Sequence, residues 1–143
     1  MPPAVTQERS AGCRLCRDPA QVSQARRLVR ETLAEWGLDG YIDHTVLISS
    51  ELVTNALRHG AGMISIRLYR ARRDLRVEVH DHGAGRPVRG HAGTADESGR
   101  GLAVIDGLIS MYDGQRGCTD DHTGPGKTVY VVLPLITNAV GAW

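Results

Sequence analysis

Lysine is nearly missing from this chain. Of 17 basic residues only Lys127 is a lysine, and 16 acidic residues bring the formal net charge to +1. So even a balance excludes a nucleic-acid binder that works through bulk charge. The arginine bias reads as the base composition of a GC-rich genome, not as a binding signal. No run of about 18 apolar residues occurs, so no membrane span is expected. The opening "MPPAVTQERS" lacks the apolar core of a signal peptide, and a cytoplasmic location is expected. Cysteine is scarce: Cys13, Cys16 and Cys118. Cys13 and Cys16 form a C-x-x-C, a spacing used by zinc half-sites and redox pairs. A tetrahedral site needs four ligands, however, and no second pair with metal spacing follows. Cys118 and His122 lie far away in sequence, so coincidence or a minor role is the reading kept. Internal repeats and interdomain linkers are absent too. At 143 residues and 15.5 kDa the chain suffices for one domain with a real core.

Hydrophobic periodicity supplies the elements. Asp18-Pro19 is a helix start, with Asp as cap and Pro in the first turn. Val22, Ala25, Val29, Leu33 and Trp36 follow at helical spacing until Gly37. A second helix is predicted from about Asp39 to His59, anchored by Val46, Val53, Ala56 and Leu57 and stopped at Gly60. "MISIRLYR" and "LRVEVHD" alternate as strands around the turn "ARRD", an antiparallel hairpin under a helical layer. From Gly83 to Gly101 periodicity collapses, and six of nineteen residues are Gly. A segment this long without pattern is either disordered or a functional lid. "GLAVIDGLISMY" returns to helix through Leu102, Ile105 and Ile109, and "KTVYVVLPL" is a closing strand after the turn "HTGPG". Residues 1–17 are read as a flexible amino-terminal segment and 18–143 as a single domain.

Three places carry candidate chemistry. In "SELVTNALRHG" Glu51 and Asn55 lie one turn apart on one helical face. This is either a solvated polar face or a place where a hydroxyl is deprotonated and a metal held. Asp81 ends the alternating set Leu75, Val77, Val79, so its carboxylate falls at the edge of a core, where it needs a partner. A purine amino group surrounded by apolar walls would serve, and so would an Asp capping its own turn; the motif leaves both open. Gly83 and Gly85 in "DHGAG" allow backbone to come close to a ligand. In "ESGRGL" Gly99 and Gly101 stand before a helix, where backbone N–H groups form an anion site, with Arg100 adding charge. "GPGKT" is discarded as a P-loop: Asp121 stands where the first Gly is required, and the segment leads into a strand.

Taken in order, E-x-x-x-N on a helix, D-x-G-x-G after a strand, a loose segment, G-x-G before a helix and a late "GKTVYVVLP" strand resemble the Bergerat-type ATP-binding fold of gyrase, MutL and sensor histidine kinases. The resemblance covers roughly Asp39 to Pro134. It implies a two-layer α/β (α+β) sandwich with a mixed, mostly antiparallel sheet. More closely, "SELVTNALRHG", "DHGAG" and "ESGRGLAVI" look like anti-sigma-factor serine kinases of the RsbW type, most similar to small stand-alone actinobacterial ATP-binding proteins. The resemblance implies ATP and Mg²⁺ as cofactors, with Asn55 as Mg²⁺ ligand and Asp81 holding the adenine amino group. Gly83, Gly85, Gly99, Arg100, Gly101, Leu102 and Thr128 would line the nucleotide, His59 would lie near it, and Glu51 would be the general base. It also implies a sigma factor and a STAS-type anti-anti-sigma protein as partners, and a second copy of the chain as a dimer partner. One departure stands out. The pattern expects an Arg before the Ser-Gly of the second glycine cluster, and this chain has Glu97. A negative charge near the γ-phosphate hinders transfer unless Arg100, Arg86 or Arg89 compensates. An ATP-dependent binding module that sequesters a sigma factor without transfer is therefore the competing expectation. A histidine-kinase catalytic domain is set aside for want of room for a phosphoacceptor hairpin.

Overall fold

The computed structural model describes residues 8–83 and 97–136, with residues 97–101 described by backbone alone. Strand β1 (Arg9–Leu15) comes first, followed by helices α1 (Val22–Glu35) and α2 (Ile42–His59). Strands β2 (Ile64–Arg70) and β3 (Asp74–Asp81), helix α3 (Glu97–Tyr112) and strands β4 (Gln115–Asp120) and β5 (Lys127–Pro134) complete the order. The five strands form one sheet in the order β1-β2-β3-β5-β4, antiparallel at every junction. The sheet is thus wholly antiparallel among the described residues, simpler than the mixed sheet expected. The three helices form the second layer: α1 packs on β1, α2 on β2 and β3, and α3 on β5.

Local chemistry sets the helix ends. Asp18 accepts a hydrogen bond from the Ala20 amide at 3.0 Å and caps a short 3-10 turn, Pro19–Gln21, that leads into α1. Gly37 ends α1 at φ 74°, where the Leu38 amide bonds Leu33 and the Gly37 amide bonds Ala34. These are the two bonds of a Schellman stop, which needs the left-handed residue that Gly supplies. At the far end of α2, Arg17 donates to the Ala56 and Leu57 carbonyls at 3.0 and 2.5 Å and reaches Gly62 at 3.4 Å. A guanidinium there satisfies the Leu57 carbonyl, adds a second bond to that of Ala56, which already accepts from the Gly60 amide, and opposes the helix dipole.

Alternation along the strands sends Ile64, Ile66, Leu68, Leu75, Val77, Val79, Val131 and Leu133 against Val29, Leu33, Ile48, Leu52, Val53, Leu102 and Ile105 from the helices. All are buried. The sheet's other face is polar: Arg76 stacks over the Tyr130 ring at 4.2 Å and pairs with Glu78 at 2.6 Å.

Three elements differ from expectation, one of them strand β4, where no strand is expected. Residues 9–15, assigned to a flexible segment, form the edge strand β1 in register with β2, with Leu15 opposite Ile64 and Cys13 opposite Ile66. Helix α3 begins at Glu97, so Gly99, Arg100 and Gly101 lie within its first turns and not in a loop before it. The segment 84–96, including Gly85, Arg86 and Arg89, lies outside the described residues.

Candidate functional site

The carboxyl end of β3 and the amino end of β5 meet beneath the last two turns of α2. Their register pairs Asp81 with Lys127 and Val79 with Val129. Because paired residues share a face, all four point toward the helices. Above them Leu52, Asn55, Ala56 and His59 project from α2, and the eight side chains enclose a small cavity. Its walls are mostly apolar, and its polar groups are Asp81, Lys127, Asn55 and His59.

At the floor lies a buried ion pair. Lys127 Nζ donates to Asp81 Oδ1 at 3.0 Å, and the two residues are 3% and 1% exposed. Oδ1 also accepts from the Gly83 amide at 2.7 Å and more distantly from Ala61 at 3.4 Å. Oδ2 receives no hydrogen bond from the described residues. The turn-capping reading of Asp81 is met on Oδ1, which accepts from the Gly83 amide. The neighbouring backbone is built around this carboxylate. A Cβ on Gly60 would fall on the Asp81 carboxylate, and one on Gly83 would stand 2.9 Å from the Gly60 Cα. The His82 amide donates to the Ala61 carbonyl at 2.8 Å and ties β3 to the loop after α2. Here Gly83 serves close backbone packing.

The other expected residues divide. Asn55 and His59 line the cavity, and Glu51 lies one turn before Asn55 on the same stripe, half-buried, outside the cavity wall. Leu102 is 1% exposed and belongs to the core. Thr128 pairs with His80 on the opposite sheet face from Lys127, so strand alternation turns it away from the cavity. Its neighbour Lys127, read from the sequence as the start of the closing strand and given no role at the site, occupies the inward position instead. The signal was available: Val129, Val131 and Leu133 fix the inward phase of β5, and Lys127 is in that phase.

A larger depression of about 500 Å³ lies between β1 and α1, against about 20 Å³ for the cavity beneath α2. Size does not decide here. The depression carries Cys13, Ser23 and a solvent-exposed Arg27–Glu31 pair, whereas the small cavity holds the buried charges. Burial pushes the Cys13 thiol up from its ordinary range, and none of the three cysteines is in a disulfide. Among the described residues no group of three or more His, Cys, Asp or Glu side chains is placed to hold a metal ion.

Comparison with known proteins agrees with the fold. Over 87 residues the chain is 33% identical to the sensor histidine kinase PdtaS of Mycolicibacterium smegmatis, covering 52% of this chain and 17% of that protein. It therefore spans about a sixth of that relative. The solved structure of full-length ShkA in complex with AMPPNP superposes with a TM-score of 0.56 at 18% identity, over 87% of this chain and 31% of that one. Residues 15–132 match the histidine kinase-like ATPase domain. With most of its length inside that match, and with five antiparallel strands under three helices, the chain belongs to the histidine kinase-like ATPase domain family.

Proposed function

We propose that this protein binds ATP in the cavity beneath α2 and acts as a cytoplasmic anti-sigma-factor regulator. In this reading it is a serine kinase that phosphorylates a STAS-type anti-anti-sigma antagonist. The observation that carries nucleotide binding is Asp81: a buried carboxylate among Leu52, Ala56, Val79 and Val129, with Oδ2 free to accept an amino hydrogen. Apolar walls with few convergent polar groups suit a purine ring. The ligand set fits chemically, although at about 20 Å³ the cavity must widen before a base enters.

The roles proposed here are those the motif resemblance implies. Bound Mg-ATP would supply the transferable phosphoryl group. Asn55, at the cavity edge toward Glu51, offers a hard oxygen for Mg²⁺. Glu51, one helical turn further, would serve as the general base that takes the proton of the antagonist's Ser hydroxyl. The first-turn amides of α3, around Gly99 and Gly101, would favour an anion such as phosphate. The serine-kinase assignment rests on the motif resemblance of "SELVTNALRHG", "DHGAG" and "ESGRGLAVI". No helix among the described residues is long and apolar enough to cross a membrane.

Glu97 favours a second reading, in which ATP shapes a sigma-binding surface and nothing is transferred. Incubation with γ-labelled ATP and candidate antagonists separates the two. Acid-stable label on the antagonist's Ser is expected, with Glu51→Ala reducing it roughly 10²–10⁴-fold while ATP binding persists. Asn55→Ala should instead weaken Mg-ATP binding itself. ATP binding without transfer establishes the binding module, and Glu97→Arg is then the first exchange to make. Acid-labile label on a histidine moves the protein to the chemistry of sensor kinases.

A further inference from the structure

Lys127 has an ammonium group with three N–H donors, is 3% exposed, and spends one donor on Asp81 Oδ1. Among the described residues the other two have no acceptor. An ammonium buried with spare donors is costly unless a partner arrives. Beside it, Asp81 Oδ2 is an acceptor without a donor. The floor of the cavity therefore presents an acceptor and a donor side by side, at the end of a slot with apolar walls. Ligands that carry an N–H donor beside an acceptor match that edge. A 6-aminopurine does, because its exocyclic amino group is flanked by ring nitrogens that only accept. A 6-oxopurine in the same pose turns an oxygen toward Asp81, which repels it.

We propose that Lys127 is a specificity-determining residue for the base. Resting on the nucleotide reading above, the inference is that its ammonium donates to a ring nitrogen flanking the amino group that Asp81 holds. The Asp81–Lys127 pair thus reads two adjacent positions of adenine. The same pair forms the floor of the cavity, which measures about 20 Å³. Opening it exchanges one charge-assisted hydrogen bond for two new contacts. The spare Lys127 donors and Asp81 Oδ2 gain partners only when a matching base is bound, so the pair selects by contacts that a mismatched base leaves unmade.

Calorimetric titration of the whole protein with Mg-ATP, Mg-1-deaza-ATP and Mg-7-deaza-ATP tests this. Each deaza analogue replaces one flanking nitrogen by CH and keeps the amino group. The parent protein should bind one of the two at least tenfold more weakly than ATP. Lys127→Met should bind ATP at least tenfold more weakly than the parent, and its affinities for ATP and that analogue should converge. Lys127→Gln, which keeps N–H donors, should retain part of the discrimination; it also serves if the Met variant does not fold, as judged by circular dichroism. Equal parental affinity for all three nucleotides overturns the inference. So does a Lys127→Met variant that binds ATP as tightly as the parent or more so, since Lys127 would then only compete for Asp81. A parent that binds no adenine nucleotide overturns the nucleotide reading and this inference together.

Discussion

The two oxygens of Asp81 have different neighbours, and substitutions can address them separately. Asp81→Asn preserves shape but turns half of the group into a donor. If the amide nitrogen takes the Oδ2 position, it faces the ligand's amino group donor to donor. If it takes the Oδ1 position, it faces Gly83 N–H and Lys127 instead. Neither orientation serves both sides. Loss of one charge-assisted hydrogen bond costs about 1.5–3 kcal/mol, so ATP affinity should fall at least tenfold by calorimetry. Gly60→Ala reaches the same atom from behind, because its Cβ would overlap the carboxylate. Crowding of this kind typically costs about 1–3 kcal/mol. Urea denaturation should show that loss, together with weakened nucleotide binding, whereas Gly40→Ala, with open space around its Cβ, should show neither. The sequence marked Asp81 correctly as an inward carboxylate. It concealed the cation beside it, because a lysine after Gly-Pro-Gly looks like turn chemistry until the strand's phase is traced backward from Leu133.

Among the elements, the legible ones are those whose buried face is made of large apolar residues. Helices α1, α2 and α3 and strands β2, β3 and β5 all show their period in Leu, Ile and Val. The two missed strands are the sheet's edges. Strand β1 turns inward Ala11, Cys13 and Leu15, of which only Leu15 is a strong signal. Strand β4 turns inward Arg116, Cys118 and Asp120, opposite Val131, Val129 and Lys127. Its inward face is charged, and Arg116 bonds Asp106 of α3 at 2.6 Å instead of joining the apolar core. A search for alternating hydrophobics passes over both. The loop before α1 also holds an unread element contact, the Arg17 cap on α2. Since it donates to two carbonyls of the helix that carries Glu51, Asn55 and His59, Arg17→Ala should cost about 1–2 kcal/mol of stability. Thermal denaturation measures the loss. Arg27→Ala, at an exposed i,i+4 pair, should cost at most about half a kcal/mol.

At the scale of the whole molecule, the cavity is where the two layers meet: α2 supplies its roof, β3 and β5 its floor. A base bound there would contact both layers at once and would be lost completely when either separates. Such a ligand stabilises the native state by RT ln(1 + [L]/Kd), about 2.7 kcal/mol at a hundredfold excess over Kd. Mg-ATP should therefore raise the midpoint of thermal unfolding, with the rise growing as the logarithm of its concentration. The fold itself is the control on this argument. If the site lies between the layers, circular dichroism of the helices and intrinsic fluorescence of Trp36, buried where α1 meets Arg70 of β2 through its carbonyl, should report one shifted transition. Asp81→Asn should lose most of the shift while keeping a cooperative transition, because the substitution preserves shape and Asp81 is not one of the apolar core residues. A concentration-dependent shift that survives in Asp81→Asn would place nucleotide binding elsewhere on the protein. The absence of any shift with the parent, at concentrations up to several millimolar, would remove ATP from the account of this fold.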